Sequence, residues 1–217
     1  MEESNHLDIN RKPTAFTDKQ IFTKIWSHPR LVFKYLHEYH DDGHTHILLI
    51  LAGIGKGLDR ASTQSMGDRM SLLTVLGLTI LAGGAFGWIT YNIYAALMSW
   101  TGKWLKGKAN SSEILRVLAY AMIPTVAALL IVGLELAIFG NGMFQSEMDL
   151  EDFSLIAQGI YYASPFVDIA LSCWTVCLAV VGISEVQKFS IGKSILNLML
   201  PGLLISGIIF MFVLALE

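Results

Sequence analysis

Four long apolar runs constrain the fold of this chain more than any other feature. They cover residues 71–100, 114–139, 159–183 and 195–216. A helix needs about 20 predominantly apolar residues to cross the hydrocarbon core of a bilayer, and each run is long enough. Of the 217 residues, 53% are hydrophobic and only 15% are charged, a composition that does not fit a soluble domain. We therefore expect an all-α fold, an integral membrane helical bundle.

A shorter apolar run, Ile47 to Leu58, precedes these four and contains Lys56. It crosses the bilayer only if His44, His46 and Lys56 reach the headgroup regions. With this run we predict five transmembrane helices, which divide the chain into a cytoplasmic arm, residues 1–45, and a membrane domain, residues 46–217. The predicted spans are about 46–58, 71–100, 114–139, 159–183 and 195–216.

The N-terminal arm has the pattern of two short amphipathic helices. The capping-box pattern TDKQ, residues 17–20, precedes an apolar stripe that begins at Ile21. A second stripe begins at Leu31, with Arg30 and Lys34 at its edge. Basic amphipathic helices are typical of segments that lie on a membrane surface, which is the predicted position of the arm. The alternative is that these helices pack on a soluble partner or on the protein's own loops.

The positions of Lys and Arg predict the orientation of the bundle. With five spans, eleven of these residues fall on the side of the N-terminus and three on the opposite side. Cytoplasmic loops carry such an excess, so we place the N-terminus in the cytoplasm and the C-terminus outside. Four spans would give nine against five, which is also biased inward, so charge favours five spans only weakly.

Four segments, in their order and spacing, resemble the Yip-domain family. They are IWSHPR (25–30), WTGKWLKGKA (100–109), LAYAMIP (118–124) and PFVDIALSCWTVCLAVVGISEVQKFSIGKSI (165–195). The resemblance implies a five-span fold with a cytoplasmic N-terminus. Eukaryotic members bind prenylated Rab GTPases and act in vesicle trafficking. This chain has a short arm and no DLYGP-like segment before its first span, and so resembles prokaryotic members in the cell's inner (cytoplasmic) membrane, where Rab proteins are absent.

Two carboxylates within predicted spans form a candidate intramembrane polar site. Glu135 lies near the outer end of the third span and Asp168 about ten residues into the fourth. A charged side chain at the bilayer centre costs about 2.5–3.5 kcal/mol on insertion scales, so such residues usually face the bundle interior or a water-filled cavity. The two carboxylates could share a proton or an ion. Alternatively, Glu135 reaches the interface and Asp168 is hydrogen-bonded to Ser or Thr on neighbouring helices.

The segment HEYHDDGHTH, residues 37–46, places four histidines directly before the first apolar run. His37, His40, His44 and His46 are weak candidates for metal ligands, because zinc needs three or four ligands and His40 and His44 could share a helical face. A pH-sensitive hinge is another interpretation. The solvated boundary of a membrane helix is a third, and it predicts no metal and no cofactor.

Glycines recur at a spacing that lets helix backbones approach closely. Gly53 and Gly57 form one GxxxG spacing, and Gly83 and Gly87 form another. We expect them to pack helices within the chain, with homodimerisation as the alternative. Cys173 and Cys177, at i and i+4 in the fourth span, are expected to be buried thiols.

The chain contains no HExxH, no phosphate-binding glycine loop and no GxSxG. We expect no enzymatic activity and no nucleic-acid partner. The expected partners are the lipid bilayer and other membrane or peripheral proteins. One hypothesis is a membrane-organising or partner-binding role. The alternative is a small-solute or ion transporter that uses Asp168 and Glu135.

Overall fold

The protein is described by a computed structural model over residues 16–39 and 42–216, and these residues form helices and loops without a β-strand. The predicted all-α fold is therefore confirmed. The α-helices are α1 (Asp18–Lys24), α2 (Pro29–Tyr39), α3 (Thr45–Thr63), α4 (Leu72–Leu78), α5 (Gly84–Trp104), α6 (Ser111–Ala121), α7 (Ile123–Phe139), α8 (Leu155–Gln187) and α9 (Ile191–Leu216).

Four stretches of the described residues are helical, long and apolar enough to cross a membrane. They are Leu72–Trp104, Ser111–Phe144, Leu155–Gln187 and Ile191–Leu214, which confirms the four strong apolar runs. In the first, a π-helical turn, Thr79–Gly83, joins α4 to α5 without a break in the helix. In the second, α6 ends before Met122 and α7 restarts with Pro124 in its first turn, where the missing N–H of proline leaves no hydrogen bond unmade.

The predicted first span is the helix α3, and it does not fall within this set of four. Its last two turns carry Lys56, Asp59 and Arg60. The Trp88 indole in the Leu72–Trp104 stretch donates a hydrogen bond to His46 Nδ1, in the first turn of α3, at 3.0 Å. The helix, at 19 residues, is longer than the predicted span. Four helical stretches of the described residues thus have the length and apolarity of a membrane span. A count of five requires that α3 also crosses the membrane.

The loops gather at two opposite ends of the bundle. At the first, which we call the loop end, residues 64–71 meet residues 140–154: Asn141 donates to the Gly67 carbonyl at 3.0 Å and the Ser146 amide donates to Asp68 at 3.1 Å. At the second, the arm end, α1 and α2 meet the loop before α6 and the end of α8. Successive long helices, α3 included, run between these ends in alternating directions.

The arm docks on the bundle through its apolar stripe. Ile21, Ile25, Val32, Phe33 and Leu36 are each at most 1% exposed and pack in one cluster with residues of α6 and α8. Burying such a side chain stabilises the docked state by about 1.5–3 kcal/mol. The apolar stripe thus packs on the protein's own helices, where the alternative named a soluble partner or its loops, and the position of the arm on the membrane surface stays a prediction.

The two glycine pairs face each other where α3 crosses the π-helical turn and α5. A methyl group at Gly53 would lie 2.8 Å from the Gly87 Cα, and one at Gly57 would lie 3.2 Å from the Gly83 Cα. Backbones this close tolerate only glycine. The expected intramolecular packing is confirmed, and the alternative of homodimerisation stays a prediction.

Candidate functional site

Glu135 and Asp168 line one open cavity between α7 and α8, near the loop end. The cavity has a volume of about 930 Å³, within the range of small-molecule sites. We call it the acidic cleft; its polar lining includes Asp59, Glu135, Ser164, Asp168 and Ser172. The structure thus brings together the two carboxylates of the predicted polar site.

Glu135 is held in the cleft by a hydrogen bond from the Ser164 hydroxyl across the two helices. Ser164 is 5% exposed and also contacts the Tyr161 carbonyl at 3.4 Å. That carbonyl lacks its usual helical partner because Pro165, four residues later, has no N–H. The proline therefore makes the wall of the cleft locally polar, with one serine serving both a carboxylate and a freed carbonyl.

Asp168 lines the cleft one turn nearer the loop end than Ser172 and Cys173, and one of its carboxylate oxygens is not satisfied by the described residues. Oδ1 is buried and has no hydrogen-bond partner among the described residues. The expected hydrogen bonds from Ser or Thr are not present there. Asp168 also borders a small adjoining cavity of about 60 Å³, together with Lys56, Asp59 and Thr125.

Sequence reasoning missed the contribution of α3 to this site. Asp59 lines both cavities, and Lys56 lies 3.5 Å from it, on the side of the smaller cavity. From the sequence, Lys56 was predicted only to reach the headgroup region. The signal was an i, i+3 pair of opposite charges at the end of a predicted span, Lys56 within it and Asp59 just beyond it, which indicates a polar helix face turned toward other helices.

The cleft is closed toward the arm end. The hydroxyls of Thr125 on α7 and Thr175 on α8 are 2.9 Å apart. Beyond them, Leu118, Leu178 and Ile183 are almost fully buried in the main apolar core. A ligand that enters from the loop end thus meets the carboxylates first and a packed apolar seal behind them.

The histidines of the 37–46 segment point to different partners. His37 Nδ1 lies 3.3 Å from Glu113, His44 Nε2 lies 3.9 Å from Asp18, and His46 accepts the indole bond described above. His40 lies outside the described residues. Within the described ranges, no three His, Cys, Asp or Glu side chains lie close enough together to hold a metal ion.

The two cysteines are exposed on the bundle surface, so their prediction as buried thiols is wrong. Cys173 also lines the acidic cleft, whereas Cys177, one turn closer to the arm end, does not line it. One cysteine therefore lies in the cleft and the other outside it, on the same helix.

A helical bundle with four stretches able to cross a membrane, and with carboxylates in a cleft between two of them, is a polytopic membrane protein. The chain belongs to the Yip1 domain family, whose model matches residues 23–214. The resemblance seen in the sequence is thereby confirmed over nearly the whole chain. Comparison with curated proteins and with solved structures finds no match.

Proposed function

We propose that this Yip1-domain protein is a non-enzymatic membrane protein that binds a small cation in the acidic cleft and passes it across the bilayer. This is the transporter hypothesis. It is carried by one observation: a carboxylate with a buried oxygen that has no partner among the described residues, Asp168 Oδ1, lines a cavity large enough for a small molecule. A sealed core with both carboxylates hydrogen-bonded internally would instead favour a structural role.

The charges of the cleft select a cation. Asp59, Glu135 and Asp168 supply three carboxylates, whereas Lys56 is the cationic residue that the lining of the two cavities contributes. Within a membrane protein, unbalanced charges of this kind mark ion or substrate pathways. Aromatic rings at the rim, Tyr161, Tyr162 and Phe166, suit an organic ammonium group as well as a proton or a metal cation, because ring faces attract cations.

The closed side of the cleft supports a transport cycle. The Thr125 and Thr175 pair and the apolar core beyond it separate the carboxylates from the arm end. Transport would require this seal to open while the loop end closes, with α7 and α8 moving relative to each other. The helix interruption at Met122 and the proline at 165 lie on these two elements and provide points at which they can bend.

The test is flux into proteoliposomes that contain the purified full chain. Proton uptake, sodium uptake and uptake of small organic ammonium ions are measured for the wild type, Asp168→Asn and Asp152→Asn. Asp152 is an exposed carboxylate in the outer loop that does not line the cleft, so it is the matched control. We expect flux in the wild type and the control and at least tenfold less in Asp168→Asn. Equal flux in all three, or none in any, contradicts the proposal.

We also propose an orientation, with the N-terminus in the cytoplasm, the C-terminus outside and α3 as the first of five crossings in the cell's inner membrane. The excess of Lys and Arg on the side of the N-terminus supports it, as does the alternating course of the long helices. In this orientation the acidic cleft opens to the outside. A reporter active only in the cytoplasm, fused after Glu217, tests it, and activity of that fusion would contradict it.

The second candidate is the membrane-organising or partner-binding role, and the arm end favours it. Trp26 and Leu31 remain 37% and 50% exposed although the arm is docked, and the cations Lys24, Arg30 and Lys34 lie on the same two helices. Such a surface suits an anionic lipid interface or a peripheral protein. If it organises the membrane, reconstituted wild-type protein should reduce vesicle diameter and a Trp26→Ala, Leu31→Ala double variant should not.

A further inference from the structure

A second cavity lies on the opposite side of α3 from the acidic cleft, between α3 and the Leu72–Trp104 stretch. It has a volume of about 710 Å³ and follows the crossing of the two glycine pairs. We call it the glycine groove; its lining includes Leu78, Ala82, Phe86 and Tyr91 below, with Lys56 and Arg60 above. The groove is apolar along most of its length and cationic only at the loop end.

The two cations differ in how the protein balances them. Lys56 forms an ion pair with Asp59 at 3.5 Å, with both side chains more than half exposed. Arg60 is exposed and has no acidic partner and no side-chain hydrogen bond among the described residues, one turn from the end of α3. A guanidinium binds phosphate oxygens through two parallel hydrogen bonds. Arg60 is therefore available to bind a phosphate at this end of the groove.

The apolar part of the groove identifies what carries that anion. Gly53, Gly57, Gly83 and Gly87 line the groove where the two helices cross, together with apolar Leu78, Ala82 and the exposed ring of Phe86. A lining of this kind, running away from the cations into the membrane, has the shape and polarity of an acyl chain. A free anion would use only the upper end of the groove.

We propose that the glycine groove binds one anionic phospholipid, with its phosphate at Arg60 and Lys56 and an acyl chain along the glycines. The positive charges of Arg60 and Lys56 favour an anionic headgroup. The apolar lining along the rest of the groove favours a lipid over a free phosphate, because a free phosphate would leave that lining uncovered. This inference is independent of the cation-binding function, because its ligand lies on the other face of α3. Arg60 does not line the acidic cleft.

The experiment is native mass spectrometry of the purified full chain in a neutral detergent, titrated with phosphatidylglycerol, phosphatidylcholine or inorganic phosphate. Three variants accompany the wild type. Arg60→Gln removes the charge, Arg60→Lys retains it, and Arg69→Gln removes an exposed arginine at the same end that does not line the groove. All four proteins are first compared by size-exclusion chromatography, so that only folded protein is titrated.

We expect the wild type and Arg69→Gln to retain one phosphatidylglycerol and to prefer it to phosphatidylcholine. Arg60→Gln should bind it about fivefold more weakly, since one cation near a membrane surface contributes about 1 kcal/mol to attraction of anionic lipid. Arg60→Lys should recover most of the binding. Equal retention of the two lipids, equal loss in Arg69→Gln, or binding of inorganic phosphate with the same affinity would each overturn the proposal.

Discussion

The hydroxyls of Thr125 on α7 and Thr175 on α8 lie 2.9 Å apart and close the acidic cleft toward the arm end. A double-mutant cycle with Thr125→Val and Thr175→Val isolates their interaction. Because such interhelical bonds in membrane proteins average about 0.6 kcal/mol and reach about 1.7, we expect a coupling in that range. Thermal unfolding in detergent of the four proteins measures it, and strictly additive losses would show that the pair does not join the helices.

Close packing of the glycines predicts a large effect from a single methyl group. Gly87→Ala would place a Cβ in steric overlap with the Gly53 Cα. The two backbones can relieve this clash only if α3 moves away from α5. We expect a loss of about 1–3 kcal/mol, the usual cost of overpacking. The control is Gly77→Ala, which meets nothing within 4 Å and should be neutral or slightly stabilising, since alanine favours the helix. Equal stability of the two variants in detergent would contradict the packing.

Docking of the arm depends on a buried cation. Arg116 is 3% exposed, and its Nε donates to Asp42 at 2.6 Å while another guanidinium nitrogen donates to the Leu36 carbonyl. Asp42→Asn leaves this guanidinium without its carboxylate. Because the Asp42 side chain is 60% exposed and water can replace it in part, we expect a loss of about 1–3 kcal/mol.

The readout is hydrogen exchange of α2, which should accelerate in Asp42→Asn. The matched control is Glu38→Gln, which breaks a pair with Lys34 in which both side chains are largely exposed. Such surface pairs contribute about 0–1 kcal/mol, so exchange of α2 should hardly change. Faster exchange in Glu38→Gln than in Asp42→Asn would contradict the role of Arg116.

The contact between the loops at residues 64–71 and 140–154 should weaken in acid. Hydrogen bonds from Ser146 hold the pKa of Asp68 below its ordinary value. The carboxylate is thus favoured in the folded state, so its contribution to stability is present above the ordinary carboxyl pKa and is lost as pH falls through the lowered one. Protection of the Ser146 amide from hydrogen exchange, corrected for the intrinsic exchange rate at each pH, should therefore fall in one step as Asp68 becomes protonated. In Asp68→Asn this step should be absent, and an unchanged step would assign it to another group.

Much of the fold could be predicted from the sequence because spans depend on local composition. The four apolar runs, the interruption near Pro124 and a shared location for Glu135 and Asp168 follow from run length, proline chemistry and depth. The docking of the arm could not be predicted in the same way. An amphipathic stripe such as that of Ile21 and Phe33 shows that one face is buried but not what buries it.

Long-range polar contacts were also beyond the reach of the sequence. Gln187 Oε1 accepts from the Ala109 amide at 3.0 Å, and Asn197 donates to the Met98 carbonyl at 3.1 Å. Asn197 is isolated in an apolar run and Gln187 lies in the polar segment that follows another, and the partner of each is set by how the helices cross. The same reason hid Asp59 from the predicted site, since its distance in sequence from Asp168 carries no information about their shared cavity.

The central claim is that water and small cations reach into the acidic cleft within the membrane. The native cysteines test this claim most directly. Intact proteoliposomes are treated with a membrane-impermeant, positively charged thiol reagent, using Cys177→Ser to report on Cys173 and Cys173→Ser to report on Cys177. We predict rapid labelling of Cys173, which lines the cleft, and none of Cys177, which is one turn closer to the arm end and does not line it. An unreactive Cys173, or equal labelling of both cysteines, would contradict the account.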